Sequence, residues 1–403
     1  MSKNKKLVLA FSGGLDTTYC AIYLNKELGL DVHALLVQTG GFTDAELQTI
    51  AEKAGRLGIA SFEIADVTDI YYASCIKYLV YGNVLKNNTY PLSVSAERMV
   101  QAIAVADYAK KIGATYVAHG STGAGNDQVR FDMVFQSMIP EIKILTPIRD
   151  QSLSREQEIE FLKANGVDMD FAKAQYSINK GLWGTSVGGK ETLNSRQYLP
   201  EDAWPTPLTA IEPIDIILHF EKGELTGIND EVYANPVLAI QKLQALAQPY
   251  GIGRDIHVGD TIIGIKGRVG FEAAAPVIII KAHHLLEKHT LTKWQMYWKD
   301  QLSTWYGNWL HEGMMLDPTM RNVERFMQDT QTNVTGKVFV SLMPHRFIVT
   351  GIESDYDLMS NKFGSYGEKN NSWSGDDVKG FAKIFGNQIA IYHSITSTPH
   401  QPK

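Results

Sequence analysis

A chain of 403 residues is long enough for two or three domains, and 44% apolar with 20% charged residues is the composition of an ordinary globular protein. The formal net charge of −6 argues against a broad nucleic-acid-binding face, which needs a basic surface, while leaving room for a local basic pocket. Only Cys20 and Cys75 occur, with no CxxC pair, which excludes a disulfide framework and a cysteine-ligated zinc cluster and suits a reducing cytosol.

The N-terminal MSKNKK runs into an apolar stretch too short for a secretory signal, and it lacks a cleavage site. The longest apolar runs, such as Pro276–Ile280, fall far below a membrane span. A cytoplasmic protein with no membrane partner is expected.

The first element is Lys6–Phe11 (KLVLAF), apolar and branched enough for a buried strand. Leu15, Tyr19, Ile22 and Tyr23 then recur at the spacing of one helix face. Between them lies Ser12-Gly13-Gly14, and a strand, a Gly-Gly turn and a helix N-terminus together make an anion site. The glycines admit close approach, free N–H groups point outward, and the helix dipole favours negative charge. No lysine follows as a Walker loop requires, and the spacing is not G-x-G-x-x-G.

Val32–Gln38 reads as a second strand, followed by a helix from Asp44 to about Leu57, a strand at Ser61–Val67 and a helix over Asp69–Val80. The alternation implies an α/β fold with a doubly wound, mostly parallel sheet, whose ligands lie at the carboxyl ends of the strands. Val37 and Gln38 then stand beside the first loop, where an adenine could lie. Asn83–Pro91 is turn-rich, and Ser93–Lys111 is a long helix closed by Gly113. After the short strand Thr115–Ala118 comes HGSTGAGNDQVRF (His119–Phe131), with Gly120, Gly123 and Gly125 inside six residues and a helix opening at Asn126, Asp127 and Arg130. A second strand, glycine loop and helix in the same sheet points to a nucleotide site more strongly than either loop alone.

Beyond the helix Ser154–Asn165 a second domain is expected to start near Phe171. Leu208–Phe220 and Gly223–Ile228 read as paired strands, Pro236–Gln248 as a helix, and Lys337–Val349 as a hairpin turning at Met343–His345. Trp294, Trp298, Trp305 and Trp309 fall within about 60° of one another on a helix. Such a stripe calls for burial, inside the chain or against another subunit. Ser374–Ile395 reads as an amphipathic terminal helix, with a polar tail from Thr396.

AFSGGLDTT (Ala10–Thr18) resembles the pyrophosphate loop of the N-type ATP pyrophosphatases. Together with HGSTGAGNDQVRF about a hundred residues later, it resembles the argininosuccinate synthase family. Tyr90-Pro-Leu92, Ser177 in QYSIN, Ser186 in LWGTS, Gly264–Arg268 and Val334–Val338 extend the resemblance over nearly the whole chain. It implies a ligase that joins citrulline to aspartate through a citrullyl-adenylate, with ATP leaving as AMP and pyrophosphate, Mg²⁺ accompanying the phosphates, and a homotetramer. It implies a nucleotide domain over 1–168, a substrate and multimerisation domain over 169–372, and a C-terminal helix and tail over 373–403.

By the same resemblance Ala10, Phe11, Ser12, Gly13, Gly14, Leu15, Asp16, Thr17, Thr18, Val37 and Gly120 bind ATP. Thr122, Asn126 and Asp127 hold aspartate, with Asp16 and Asp127 nearest the chemistry. Tyr90, Ser95, Asn126, Arg130, Ser177 and Ser186, with the positions of Gly259 and Phe271, hold citrulline. Asp16 reads equally as a metal ligand or as an acid placed by the helix dipole. Arg98, one turn from Ser95, is either a ligand contact or a structural ion pair, and His119 reads as a loop-ordering residue rather than a base. Three residues depart from the family pattern: Ala124 for a lysine, Gly259 for a glutamate and Phe271 for a tyrosine. The last two bear on the α-nitrogen of citrulline and admit a substrate acylated there, which Lys180 could favour, whereas Asp260 could replace the glutamate and keep free citrulline. A tRNA thiouridylase would need a basic face and a reactive cysteine pair; an inactive nucleotide sensor is the other alternative.

Overall fold

The computed structural model describes residues 5–167, 176–359, 366–367 and 372–396. Five apolar runs become β1 (Lys6–Ala10), β2 (Asp31–Gln38), β3 (Ser61–Asp66), β4 (Tyr116–Ala118) and β5 (Lys143–Leu145). They form one parallel sheet in the order β3-β2-β1-β4-β5. The chain steps outward from β1 to β3 and then returns to the other side of β1. The loops leaving β1 and β4 therefore diverge over a crevice at the strands' carboxyl ends.

The helices flanking this sheet begin and end where local chemistry directs. Thr43 and Ser154 form capping boxes with Glu46 and Gln157 at Asp44–Gly55 and Arg155–Ala164. Ser95–Ile112 stops at Gly113, whose φ of 64° is the left-handed cap that glycine takes without strain. The helix expected over Asp69–Val80 is present but interrupted: α-helical at Thr68–Tyr71, a π turn at Tyr72–Ile76, and α-helical again at Lys77–Tyr81.

The remaining strands are antiparallel: β6 (Ser177–Gly181), β7 (Gly184–Gly188), β8 (Ile214–Glu221), β9 (Glu224–Ile228), β10 (Glu231–Val232), β11 (Arg254–Asp260), β12 (Lys266–Glu272), β13 (Gly336–Met343) and β14 (Arg346–Glu353). They make a sheet β10-β9-β8-β13-β14 and a four-stranded sheet β11-β12-β7-β6. Residues 208–213, expected to extend β8, lie outside it. The boundary expected near Phe171 falls among residues outside those described.

The smaller sheet is fastened to the parallel one through the β6–β7 turn. Leu182 N–H donates to the Thr39 carbonyl at 2.9 Å, just past β2, and the fully buried Trp183 donates Nε1–H to the Pro91 carbonyl at 2.9 Å. A Cβ on Gly41 would run into the Lys180 carbonyl, and one on Gly181 into the Glu97 carboxylate. Only glycine lets the segments meet this closely.

Met1–Tyr356 and Asp357–Lys403 are separate compact units. On the first, the helix Lys293–His311 leaves Trp294, Trp298 and Trp305 each more than half exposed. Trp309, the fourth of the stripe, packs against the core, so its own unit covers the stripe only at that end. In the second, the expected terminal helix is two, Gly375–Phe385 and Asn387–Thr396, parted at Gly386, and no side chain of either is buried. No helix among the described residues is long and apolar enough to cross a membrane.

Candidate active site

The crevice over β1 and β4 opens into a cavity of about 1100 Å³, roofed by β6, β7, β11 and β12. Its floor is the first glycine loop. Gly13 sits at φ +74°, and a Cβ there would touch Ile50, so the turn is both left-handed and close-packed. Gly14 starts the helix Leu15–Lys26, and no side chain caps it. Ser12 Oγ and Thr17 Oγ1 stand 3.2 Å apart over this terminus. Free N–H groups, two hydroxyls and a helix N-terminus converge as phosphate binding requires.

The second loop lies against the first. A Cβ on Gly120 would come within 3.3 Å of Asp16 and Thr17, so this glycine sets the approach of the two loops. His119 orders the turn: its Nε2 pairs with Asp132 at 3.0 Å, and its Nδ1 accepts the Ser121 N–H at 3.2 Å. Thus engaged and 1% exposed, it is no free base.

Of the residues expected at ATP, Ala10, Phe11, Ser12, Gly14, Leu15, Asp16, Thr17, Val37 and Gly120 line the cavity, while Gly13 and the buried Thr18 stand behind it. Thr122, Asn126, Asp127, Tyr90, Ser95, Arg130, Ser177, Ser186 and Gly259 also line it. Phe271 does not. It is 1% exposed and packs against the Tyr90 ring at 5.3 Å, supporting that wall from behind.

Asp127 is the electrostatic centre of the middle third. Arg98 Nε donates to its Oδ2 at 3.0 Å and Arg130 Nη1 to its Oδ1 at 2.9 Å. Burial by itself would raise its pKa, but the two guanidinium groups hold it below the ordinary carboxylate range. Arg98 also donates to Glu97 at 2.9 Å, Gln101 at 2.8 Å and Asn179 of β6 at 2.7 Å. It is a structural hub rather than a free ligand contact. Glu97, buried and bonded by Thr39 Oγ1, is pushed up to about 7 by burial against the pull of Arg98.

At the other end Asp16 and Glu158 face each other beside Arg155. Both are raised by burial, Glu158 to about 8 with the Asp16 charge adding to the effect. Glu158 is 3% exposed, and its Oε2 has no hydrogen-bond partner.

Sequence reasoning passed over Glu158, Arg155, His257, His311 and Arg268, all of which line the cavity. Glu158 sits on a helix face that reads as amphipathic surface, and His257 and His311, each two residues before a glycine (Gly259 and Gly313), belong to no motif that assigns them a role. The buried thiols of Cys20 and Cys75 are pushed up by desolvation, Cys75 to about 12, so neither is a nucleophile.

Two family models match the chain: "Arginosuccinate synthase N-terminal HUP domain" over residues 6–168 and "Arginosuccinate synthase C-terminal domain" over residues 176–392. The chain is 36% identical to argininosuccinate synthase of Dictyoglomus thermophilum over 395 residues, covering 97% of this chain and 98% of that protein. It is 34% identical to that of Methanocaldococcus jannaschii, with 96% and 97% covered, and 33% identical to that of Xylella fastidiosa, again with 96% and 97% covered.

Proposed function

Since the chain belongs to the argininosuccinate synthase family, the ligases that join citrulline to aspartate at the expense of ATP, we propose the following division of labour among its residues. The loop Ser12–Gly14 with Thr17 takes the β and γ phosphates, and Val37 and Gly120 flank the nucleoside. The ureido oxygen of citrulline is a poor leaving group. It attacks the α-phosphorus as the bond to the β-phosphate oxygen breaks, and pyrophosphate departs onto the first loop. The aspartate amine then attacks the ureido carbon, and AMP leaves. Helix-terminal N–H groups aimed at the departing charge are worth most in such a step, because they need no reorganisation.

Asp127 receives the aspartate amine, with Thr122 and Asn126 at a carboxylate. Its two arginines fix both of its oxygens, so the amine meets an anion already oriented. Tyr90, Ser95, Arg130, Ser177, Ser186 and Gly259 surround citrulline. The observation that carries this reading is the meeting of the two glycine loops at Gly120 and Asp16, with Asp127 on the helix that the second loop opens.

Asp16 and Glu158 fit a Mg²⁺ ion: two carboxylates beside the phosphate loop, one with a buried oxygen that nothing else satisfies. Bound there, Mg²⁺ would neutralise charge on the phosphates. The exposed tryptophans and the unburied terminal helices each suit subunit contacts, and we assign the protein as a cytoplasmic homotetramer. We keep the division at 1–168, 169–372 and 373–403.

The test is pyrophosphate release by the purified chain with ATP, a citrulline substrate and aspartate. Continued release over many turnovers that needs both amino-acid substrates supports the ligase. Many turnovers without aspartate, or with an RNA acceptor instead, overturn it.

A further inference from the structure

Every acid lining the substrate half of the cavity is already paired. Glu46 holds Lys180 at 3.1 Å, Glu97 holds Arg98 at 2.9 Å, and Asp127 lies between Arg98 and Arg130. Asp260 holds Lys266 at 2.7 Å on the exposed rim. Arg268 faces away from the citrulline wall: it stands opposite Val258, between His257 and Gly259, and its guanidinium reaches the carbonyls of Glu191 and Gln197, at 3.3 and 2.9 Å, on the other face of the sheet.

Two histidines complete this end. His257 is 5% exposed, stacks on Tyr90 at 5.0 Å between ring centres, and leaves Nδ1 without a hydrogen-bond partner. His311 is 6% exposed and bonds Ser95 through Nδ1 at 3.2 Å, while its Nε2 has no partner. Desolvation, with nearby cations adding to it, depresses both rings far enough to keep them neutral at pH 7. The backbone at Gly259 is bare, and a Cβ there would fall 2.6 Å from His257 Nε2, so the ring occupies the place of a longer side chain.

An α-ammonium group brought to this wall would lose its water and find neutral imidazoles and no free carboxylate, which is costly. An amide nitrogen carries no charge, and its N–H and acyl carbonyl suit imidazole nitrogens that donate or accept. From this charge inventory, and resting on the citrulline placement of the proposed function, we propose that the preferred substrate is a citrulline acylated on its α-nitrogen. The acyl group lies along His257 and over Gly259.

The experiment compares kcat/KM for citrulline, Nα-acetylcitrulline and Nα-succinylcitrulline, using the full chain with saturating ATP, Mg²⁺ and aspartate and reading AMP. The proposal expects an Nα-acyl derivative to exceed citrulline at least tenfold. Citrulline equal to or better than both derivatives overturns the acylated substrate and leaves the ligase reading standing. AMP from none of the three overturns the ligase reading and this proposal with it.

Discussion

Arg98 Nε donates to Asp127 Oδ2 at 3.0 Å while Arg98 Nη2 donates to Asn179 at 2.7 Å, so one guanidinium joins the second glycine-loop helix to the roof strand β6. The carboxylate proposed to receive the aspartate amine is thereby oriented by a guanidinium engaged with four protein side chains. Arg98→Lys keeps the charge and loses the fork. We expect KM for aspartate to rise by about tenfold, the worth of one hydrogen bond to a charged group, with ATP affinity unchanged. An unchanged KM for aspartate contradicts the positioning role.

Asp127→Ala removes the anion itself. Product formation should vanish while ATP binding stays within a few-fold of the parent, because Asp127 is assigned to the amine and not to the nucleotide. Loss of ATP binding with aspartate affinity intact would reverse that assignment.

Glu158→Gln tests the metal assignment by a readout other than turnover. The affinity of the enzyme–ATP complex for Mn²⁺, followed by water-proton relaxation, should fall at least tenfold, about 1.4 kcal/mol. Equal affinity in parent and variant rules Glu158 out as a ligand.

Much of this site was legible in the sequence, for reasons that its residues make plain. Gly13, Gly14 and Gly120 announce backbone that must be approached closely, and the strands before them are short apolar runs with few alternatives. Asp127 and Arg130 open a helix directly after a glycine loop, which fixes their place. Glu158 and His257 carry no such mark. Their roles depend on β11 and the helix Arg155–Ala164 being folded against the crevice from distant parts of the chain, and no local pattern records that. Arg98 stood between two readings, and only the position of Asn179, some eighty residues on, decides for the structural one. The tryptophan stripe was visible as a helix face, but its exposure depends on what the fold leaves uncovered.

His257 and His311 add to the loss of stability on acidification. Their pKa values are pushed down to about 4 and about 3 in the folded chain, while the unfolded side chains titrate near the ordinary value of 6.5. Between these limits the unfolded rings bind more protons, so the two rings' contribution is full above about 6.5 and is lost as the pH falls through the folded values. Each ring contributes on the order of a few kcal/mol across that window. His311→Gln should flatten the loss of stability between pH 6.5 and 4 in urea titrations relative to the parent. Identical slopes would show that the ring is not held neutral.

The exposed face Trp294, Trp298 and Trp305 should be covered in the assembled protein. Light scattering at micromolar concentration is expected to give four times the chain mass, and Trp298→Lys to lower it. A monomer mass for the parent contradicts the homotetramer.

The most direct measurement of the citrulline–aspartate ligation is the joint dependence of AMP formation on the two amino-acid substrates. With ATP and Mg²⁺ present, citrulline or its Nα-acyl derivative and aspartate should together yield AMP and pyrophosphate in equal amounts, with one carbon–nitrogen bond made per ATP consumed. Omission of either amino-acid substrate should abolish release of the condensed product. AMP and pyrophosphate formed in full without aspartate, or no AMP with any citrulline substrate, would contradict the assignment of this chain's site to citrulline–aspartate ligation.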